Sequence, residues 1–148
     1  MSIFRYRVIV FGSRYWTNVA PIYQALAVLK AEHGEDLLVV HGDCPTGADA
    51  IAEEVCRLHL GTPVEQEKHP ADWKRYGTSA GPRRNAEMAT LGARLVLGFR
   101  DHGPSPGSDG MRRECVRRGL TGLWYMANPR DNGIMIKPLD FDDGGPEA

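Results

Sequence analysis

Residues 37–52 read LLVVHGDCPTGADAIA: an apolar run, a turn bracketed by Gly42 and Gly47, then apolar residues at helical spacing. Two glycines enclosing four residues also mark a phosphate-binding P-loop. A P-loop continues with Lys and then Ser or Thr, so that an ammonium and a hydroxyl reach phosphate and Mg²⁺. Ala48 and Asp49 stand there instead. The stretch is a strand–turn–helix unit without the P-loop cation. Thr46 and Asp49 fit a capping box, Thr46 at the N-cap and Asp49 three residues on.

The same alternation extends in both directions. YRVIVF (6–11) has the length and β-branched content of a buried strand. A helix is expected over 19–33, capped by Thr17 or Asn18, with Pro21 in its first turn and Gly34 at its end. After the strand DLLVVH (36–41), Ala48, Ile51, Ala52, Val55 and Leu58 line one helical face. TPVEQE (62–67) is a weaker strand, followed by a long polar loop and a helix over 82–91. ARLVLGF (93–99) and LTGLWYM (120–126) are further strands, separated by a Gly/Pro/Ser-rich loop and a helix over 109–118 that Gly119 stops. Strands alternating with helices predict an α/β domain: a mostly parallel sheet of about five strands between two helical layers. That domain spans residues 1–127. The acidic, Pro- and Gly-containing segment 128–148 reads as a tail, in which GIMIK (133–137) adds an edge strand or covers a subunit contact and DFDDGGPEA (140–148) is poorly ordered.

Bulk properties narrow the function classes. The 148 residues are 42% hydrophobic and 25% charged, the composition of one globular core. No apolar run approaches the ~18 residues of a membrane span, and the N-terminus lacks a signal-peptide layout. Three widely spaced cysteines, Cys44, Cys56 and Cys115, suit a reduced, cytoplasmic chain. A net charge of −1 disfavours a nucleic-acid partner, as does the lack of an aromatic stacking row. Residues 68–118 nevertheless hold eleven Lys or Arg against five Asp or Glu, which fits a local anion site.

Ligands of an open parallel sheet bind beyond the carboxyl ends of its strands, at helix N-termini. Three glycine turns fall there: FGSR (11–14), with Gly12, Ser13 and Arg14; HGDCPTGAD (41–49), with Gly42, Asp43, Gly47, Ala48 and Asp49; and GPSPGSDGMRRE (103–114), with Gly107, Ser108, Asp109, Gly110 and Met111. Together they suit a nucleotide-sized ligand. Arg84 follows the Gly81-Pro82 turn beside Arg83 and Asn85, and Glu114 lies one turn into a later helix. A guanidinium can hold phosphate, and a carboxylate can stabilise a cationic sugar or activate water. Trp73 either stacks on a base or packs under a loop. Arg112, Arg113, Arg117 and Arg118 also read as a solvated helix face. His41 and Cys44 lack the paired spacing of a metal site, Cys44 lacks an assignable His/Asn partner, and no metal or cofactor is expected.

VIVFGSR, VVHGDCPTGADAIA and HPADWKRYGTSAGPRRNAEM closely resemble the YspA-type (cpYpsA-related) branch of the SLOG superfamily, over about residues 7–126. The resemblance implies a Rossmann-like fold, a nucleotide or nucleotide-derived ligand (a nucleoside monophosphate, ADP-ribose or an NAD derivative), a homodimer, and a setting in phage–host conflict. A more distant similarity is to the LOG, or lysine-decarboxylase-like, phosphoribohydrolases, which cleave the N-glycosidic bond of nucleoside monophosphates. Their RKxxM and PGGxGTxxE motifs align with RNAEM (84–88) and PGSDGMRRE (106–114), which implies catalytic roles for Arg84 and Glu114. Asn85 replaces the motif lysine, Ser108 a glycine and Met111 a threonine. Ligand binding is expected to survive these departures more readily than the reaction. The expected functions are therefore nucleotide N-glycosidic hydrolysis or non-catalytic nucleotide sensing, with single-stranded DNA binding behind both.

Overall fold

The β-branched run at the N-terminus becomes β1, Tyr6–Gly12, at the middle of a six-stranded sheet. Val8, Ile9 and Val10 are wholly buried, because the strand has parallel neighbours on both edges and helices over both faces. The computed structural model describes residues 5–131 and 133–142. Its other strands are β2 (Leu37–His41), β3 (Glu65–Lys68), β4 (Leu95–Arg100), β5 (Gly122–Ala127) and β6 (Ile134–Pro138). The sheet order is β3-β2-β1-β4-β5-β6, parallel except for the antiparallel β5–β6 pair. The fold is thus Rossmann-like, and GIMIK supplies the sixth strand at the edge. Part of the poorly ordered tail expected at 140–148, namely 143–148, lies outside the described residues.

The period of two along β1 sorts its side chains into two cores. Val8 and Val10 pack with Ile22, Leu26 and Leu29 of α1 (Val19–His33) and Ala48 and Ala52 of α2 (Gly47–Glu54). Ile9 and Phe11 face Met88 and Ala89 of α4 (Ala80–Leu91) and Met111 and Cys115 of α5 (Pro106–Arg117). Asn18, rather than Thr17, caps α1 through the N–H of Ala20, and Gly34 closes it at φ 55°. No disulfide joins the three cysteines.

Several short elements escape the sequence reading, among them 3₁₀ turns at Gly34–Asp36 and Gly77–Ser79. A single-turn helix, α3 (Trp73–Tyr76), stands where a polar loop is expected, with Asp72 accepting the N–H of Arg75 as its cap. After α2 the chain widens into a π turn, Val55–His59. The extra residue rotates the following side chains, so Cys56 is buried and Leu58 swings out to 55% exposure.

Arg7 of β1 holds Glu67 of β3 through two hydrogen bonds of 2.7 and 2.8 Å, and His69 adds a third contact at 2.7 Å. Arg7, reinforced by His69, depresses the Glu67 carboxyl to about 2 against the opposing effect of burial. A depressed carboxyl stabilises the fold fully above its unfolded value near 4.5 and loses that contribution as pH falls towards 2. Glu67→Gln is expected to cost about 1–2 kcal/mol at pH 7, after discounting for partial exposure, and nearly nothing at pH 2. Urea unfolding at both pH values measures the difference.

Candidate functional site

In this strand order the chain turns outward in opposite directions from β1 and β4, and helices on opposite faces leave a crevice between their carboxyl ends. A cavity of about 560 Å³ lies there, within the ~300–1,000 Å³ typical of small-ligand sites. Its walls come from the turns after β1 and β4, from Cys44 and Asp49, and from α3 and α4.

Ser13 ties the turns together. Its N–H donates to Phe99 O of β4 at 2.9 Å, and its carbonyl accepts the N–H of Ala48, in α2, at 3.2 Å. Such close backbone approach excludes side chains. A Cβ on Gly12 would lie 2.3 Å from Phe99 O. One on Gly47, whose φ is 75°, would lie 2.2 Å from Ser13 O. These two glycines permit the junction of three strand ends at the cavity floor.

The HGD turn is fixed from below. His41, wholly buried, accepts the N–H of Asp43 at Nδ1 (3.0 Å) and sits 2.7 Å from Gln66 Oε1 through Nε2. With Nδ1 accepting, Nε2 is the ring nitrogen that donates to Gln66. Asp43 follows in the left-handed region at φ 55°. The capping box expected of Thr46 and Asp49 does not form. Thr46 occupies the N-cap without a side-chain hydrogen bond, and Asp49 Oδ2 instead reaches the N–H of Cys44 at 3.3 Å. Asp49 thus organises the turn rather than the helix end. Burial pushes its carboxyl up, against the opposing pull of the Cys44 N–H, Arg84 and the Gly42 N–H.

Arg84 supplies the cavity with positive charge. Its Nη1 donates to Gly42 O at 2.7 Å and His69 O at 3.4 Å, and its Nε to Asn85 Oδ1 at 2.8 Å. A Cβ on Gly42 would fall 2.3 Å from that Nη1, so glycine lets the guanidinium lie against the turn. Burial pushes the Arg84 value down, while Asp49 and Cys44 push it back up. Arginine stays charged through shifts of this kind.

Glu114 lines the same cavity as Arg84. No hydrogen bond joins the two; Arg118 Nε reaches Glu114 Oε1 at 2.9 Å, and Arg117 holds Oε2. Two of the arginines that read as a solvated face therefore neutralise this carboxylate. Two of the three departures from the LOG motif turn inward, while Asn85 stays in the cavity wall beside Arg84. Ser108 is buried and accepts a hydrogen bond from Ser105 Oγ at 2.8 Å, and Met111 joins the core beneath the cavity.

Gly12, Ser13, Arg14, Asp49, Trp73, Gly81, Asn85, Gly107, Ser108, Gly110 and Met111 all line the cavity with Arg84 and Glu114. Gly42, Asp43, Gly47 and Ala48 do not line it; Gly42 lies against Arg84, Gly47 and Ala48 against Ser13, and Asp43 is exposed. Arg83 points elsewhere, its guanidinium 4.3 Å from the Tyr76 ring centre, and Asp109 pairs with Arg100 at 2.7 and 3.1 Å. Sequence reasoning missed Phe11, Tyr15, Cys44, Thr78, Pro82, Met88, Pro104, Ser105 and Pro106 as lining residues. The Gly/Pro/Ser density of 103–108 was the available signal for the last three. Among the described residues no cluster of His, Cys, Asp or Glu could hold a metal ion, and no helix is long and apolar enough to cross a membrane.

Fold and cavity together define a Rossmann-like α/β protein with a crevice of small-ligand size at its topological switch point. Residues 6–76, from β1 to the end of α3, match the model of the YspA, cpYpsA-related SLOG family. The gene 61 protein of Mycobacterium phage D29 is 37% identical over 125 residues, covering 83% of this chain and 98% of that protein. The chain belongs to the YspA, cpYpsA-related SLOG family, whose membership indicates a nucleotide-related function in general terms.

Proposed function

We propose that the protein binds a nucleotide or nucleotide-derived ligand, such as a nucleoside monophosphate, ADP-ribose or an NAD derivative, in the switch-point cavity and releases it intact. The observation carrying this reading is the Arg84 guanidinium, anchored by backbone carbonyls at a crevice walled by glycine turns. The arrangement suits a phosphate. The double ion pairing of Glu114 favours binding over turnover, since a carboxylate between two guanidinium groups is poorly placed to take a proton from water. The relative's phage source fits a setting in phage–host conflict, in which this protein would sense or sequester a nucleotide. AMP, ADP-ribose and NAD are expected to raise the melting temperature, and chromatography should recover them unchanged. Failure of all three to shift it contradicts the reading.

Hydrolysis of an N-glycosidic bond is the second reading, favoured by Arg84 and Glu114 sharing one cavity. Glu114→Gln separates the two. Binding alone predicts affinity within about threefold of the parent (under 1 kcal/mol) and no base release from either protein. Hydrolysis predicts base release that the variant loses. A homodimer belongs to the same proposal, supported by exposed Leu123, Met135 and Ile136 on β5 and β6. Light scattering should then give twice the 16.4 kDa chain mass.

A further inference from the structure

We infer that Trp73 and Arg14 form a clamp for a flat heteroaromatic base, so that the cavity selects a nucleoside 5′-phosphate unit over a bare sugar phosphate. This rests on the nucleotide-binding reading and adds to it which part of the ligand is recognised and where.

Trp73 differs from the other tryptophans. Trp16 and Trp124 are 4% and 1% exposed, within the cores, whereas Trp73 is 47% exposed and stands in the cavity wall. A large indole left half in water is a position that stacking would improve. It is also held in place. Asp72 caps the single turn that carries it, and its six-membered ring packs over Gly81, where an added Cβ would come within 3.2 Å of Cη2. Glycine at 81 lets the indole sit tight against the start of α4.

The Arg14 guanidinium lies 5.4 Å from the indole centre, and Arg14 lines the same cavity. A planar ring between two planar groups needs roughly 7 Å, two contacts of about 3.5 Å. Arg14 is exposed at the end of a flexible stem, so it can open by the small difference. The base would then lie between an aromatic face and a guanidinium plane, both tolerant of base identity.

The spacing to the charged end agrees. Gly81, under the indole, and Arg84, with the half-buried guanidinium, are three residues apart on α4, about 4.5 Å of rise. That is the scale of one ribose between base and phosphate. The shared unit is present both in free nucleotides and in larger dinucleotide-type molecules, so the probes must distinguish them.

The test is titration of the full chain with AMP, ribose 5-phosphate, ADP-ribose and NAD, followed by calorimetry and tryptophan fluorescence. AMP is expected to quench the emission of Trp73 and to bind at least about 10-fold more tightly than ribose 5-phosphate. Trp73→Ala should weaken AMP at least about 10-fold while leaving ribose 5-phosphate within about twofold. Trp73→Phe should retain most of the affinity but lose the quenching, and Arg14→Ala should weaken AMP alone. Tighter binding of ADP-ribose or NAD than of AMP would place the unit within a larger ligand and support the clamp if Trp73→Ala weakens it too. Equal binding of AMP and ribose 5-phosphate, or unchanged AMP binding in folded Trp73→Ala, overturns the clamp and leaves the binding reading intact. No binding of any probe to the parent protein overturns both.

Discussion

Replacing Arg84 with alanine is expected to weaken binding of AMP or ADP-ribose by about 10- to 150-fold, the ~1.5–3 kcal/mol that a charge-assisted hydrogen bond contributes. The effect is large because this guanidinium is already oriented. Gly42 O, His69 O and Asn85 Oδ1 fix its plane, so little side-chain entropy remains to be lost on binding phosphate. Arg84→Lys should recover only part of the affinity, since an ammonium cannot hold those acceptors and a phosphate in one planar array. Alanine also removes the cation facing buried Asp49, so some loss of stability accompanies the loss of binding. Calorimetry on both variants, with unfolding midpoints alongside, separates the two effects. Parent-like affinity in folded Arg84→Ala would remove Arg84 from the site.

The second large effect is expected at Gly47. Valine there combines a φ of 75°, which β-branched residues avoid, with a Cβ 2.2 Å from Ser13 O. Relief requires moving either α2 or the turn after β1, and the Ala48–Ser13 hydrogen bond breaks in both cases. Gly47→Val should cost about 3 kcal/mol or more, seen as a fall of about 6–12 °C in melting temperature for a domain of this size. Because Ser13 also bonds Phe99, the damage spreads to the β4 end of the cavity, and ligand binding should fall with stability. An unchanged melting temperature would show that the three strand ends are not coupled through Ser13.

The architecture was readable because strands and helices here obey their periods. The run YRVIVF is buried on both sides, and the helix over 19–33 has both of its caps written in Asn18 and Gly34. What stayed hidden depends on three-dimensional competition. The π turn after α2 leaves no local pattern, so Leu58 read as core although it is exposed. The α3 turn is too short for a periodic signal. Thr46 and Asp49 have the spacing of a capping box, yet the buried carboxylate finds the Cys44 N–H instead. Arg84 and Glu114 could be picked out by residue type, but not the Arg117 and Arg118 contacts that neutralise Glu114. Ser108 and Met111 look obstructive in sequence, whereas their side chains are buried in the structure.

The central claim is that one nucleotide-type ligand occupies the crevice between the β1 and β4 ends. At 16.4 kDa the protein suits two-dimensional ¹H–¹⁵N NMR, and titration with ADP-ribose and AMP tests that claim directly. The account predicts shifts concentrated at residues 12–15, 42–49, 73–85 and 105–110, with the β3 edge and the π turn unmoved. Shifts centred on those distant elements, or none at millimolar ligand, would contradict it.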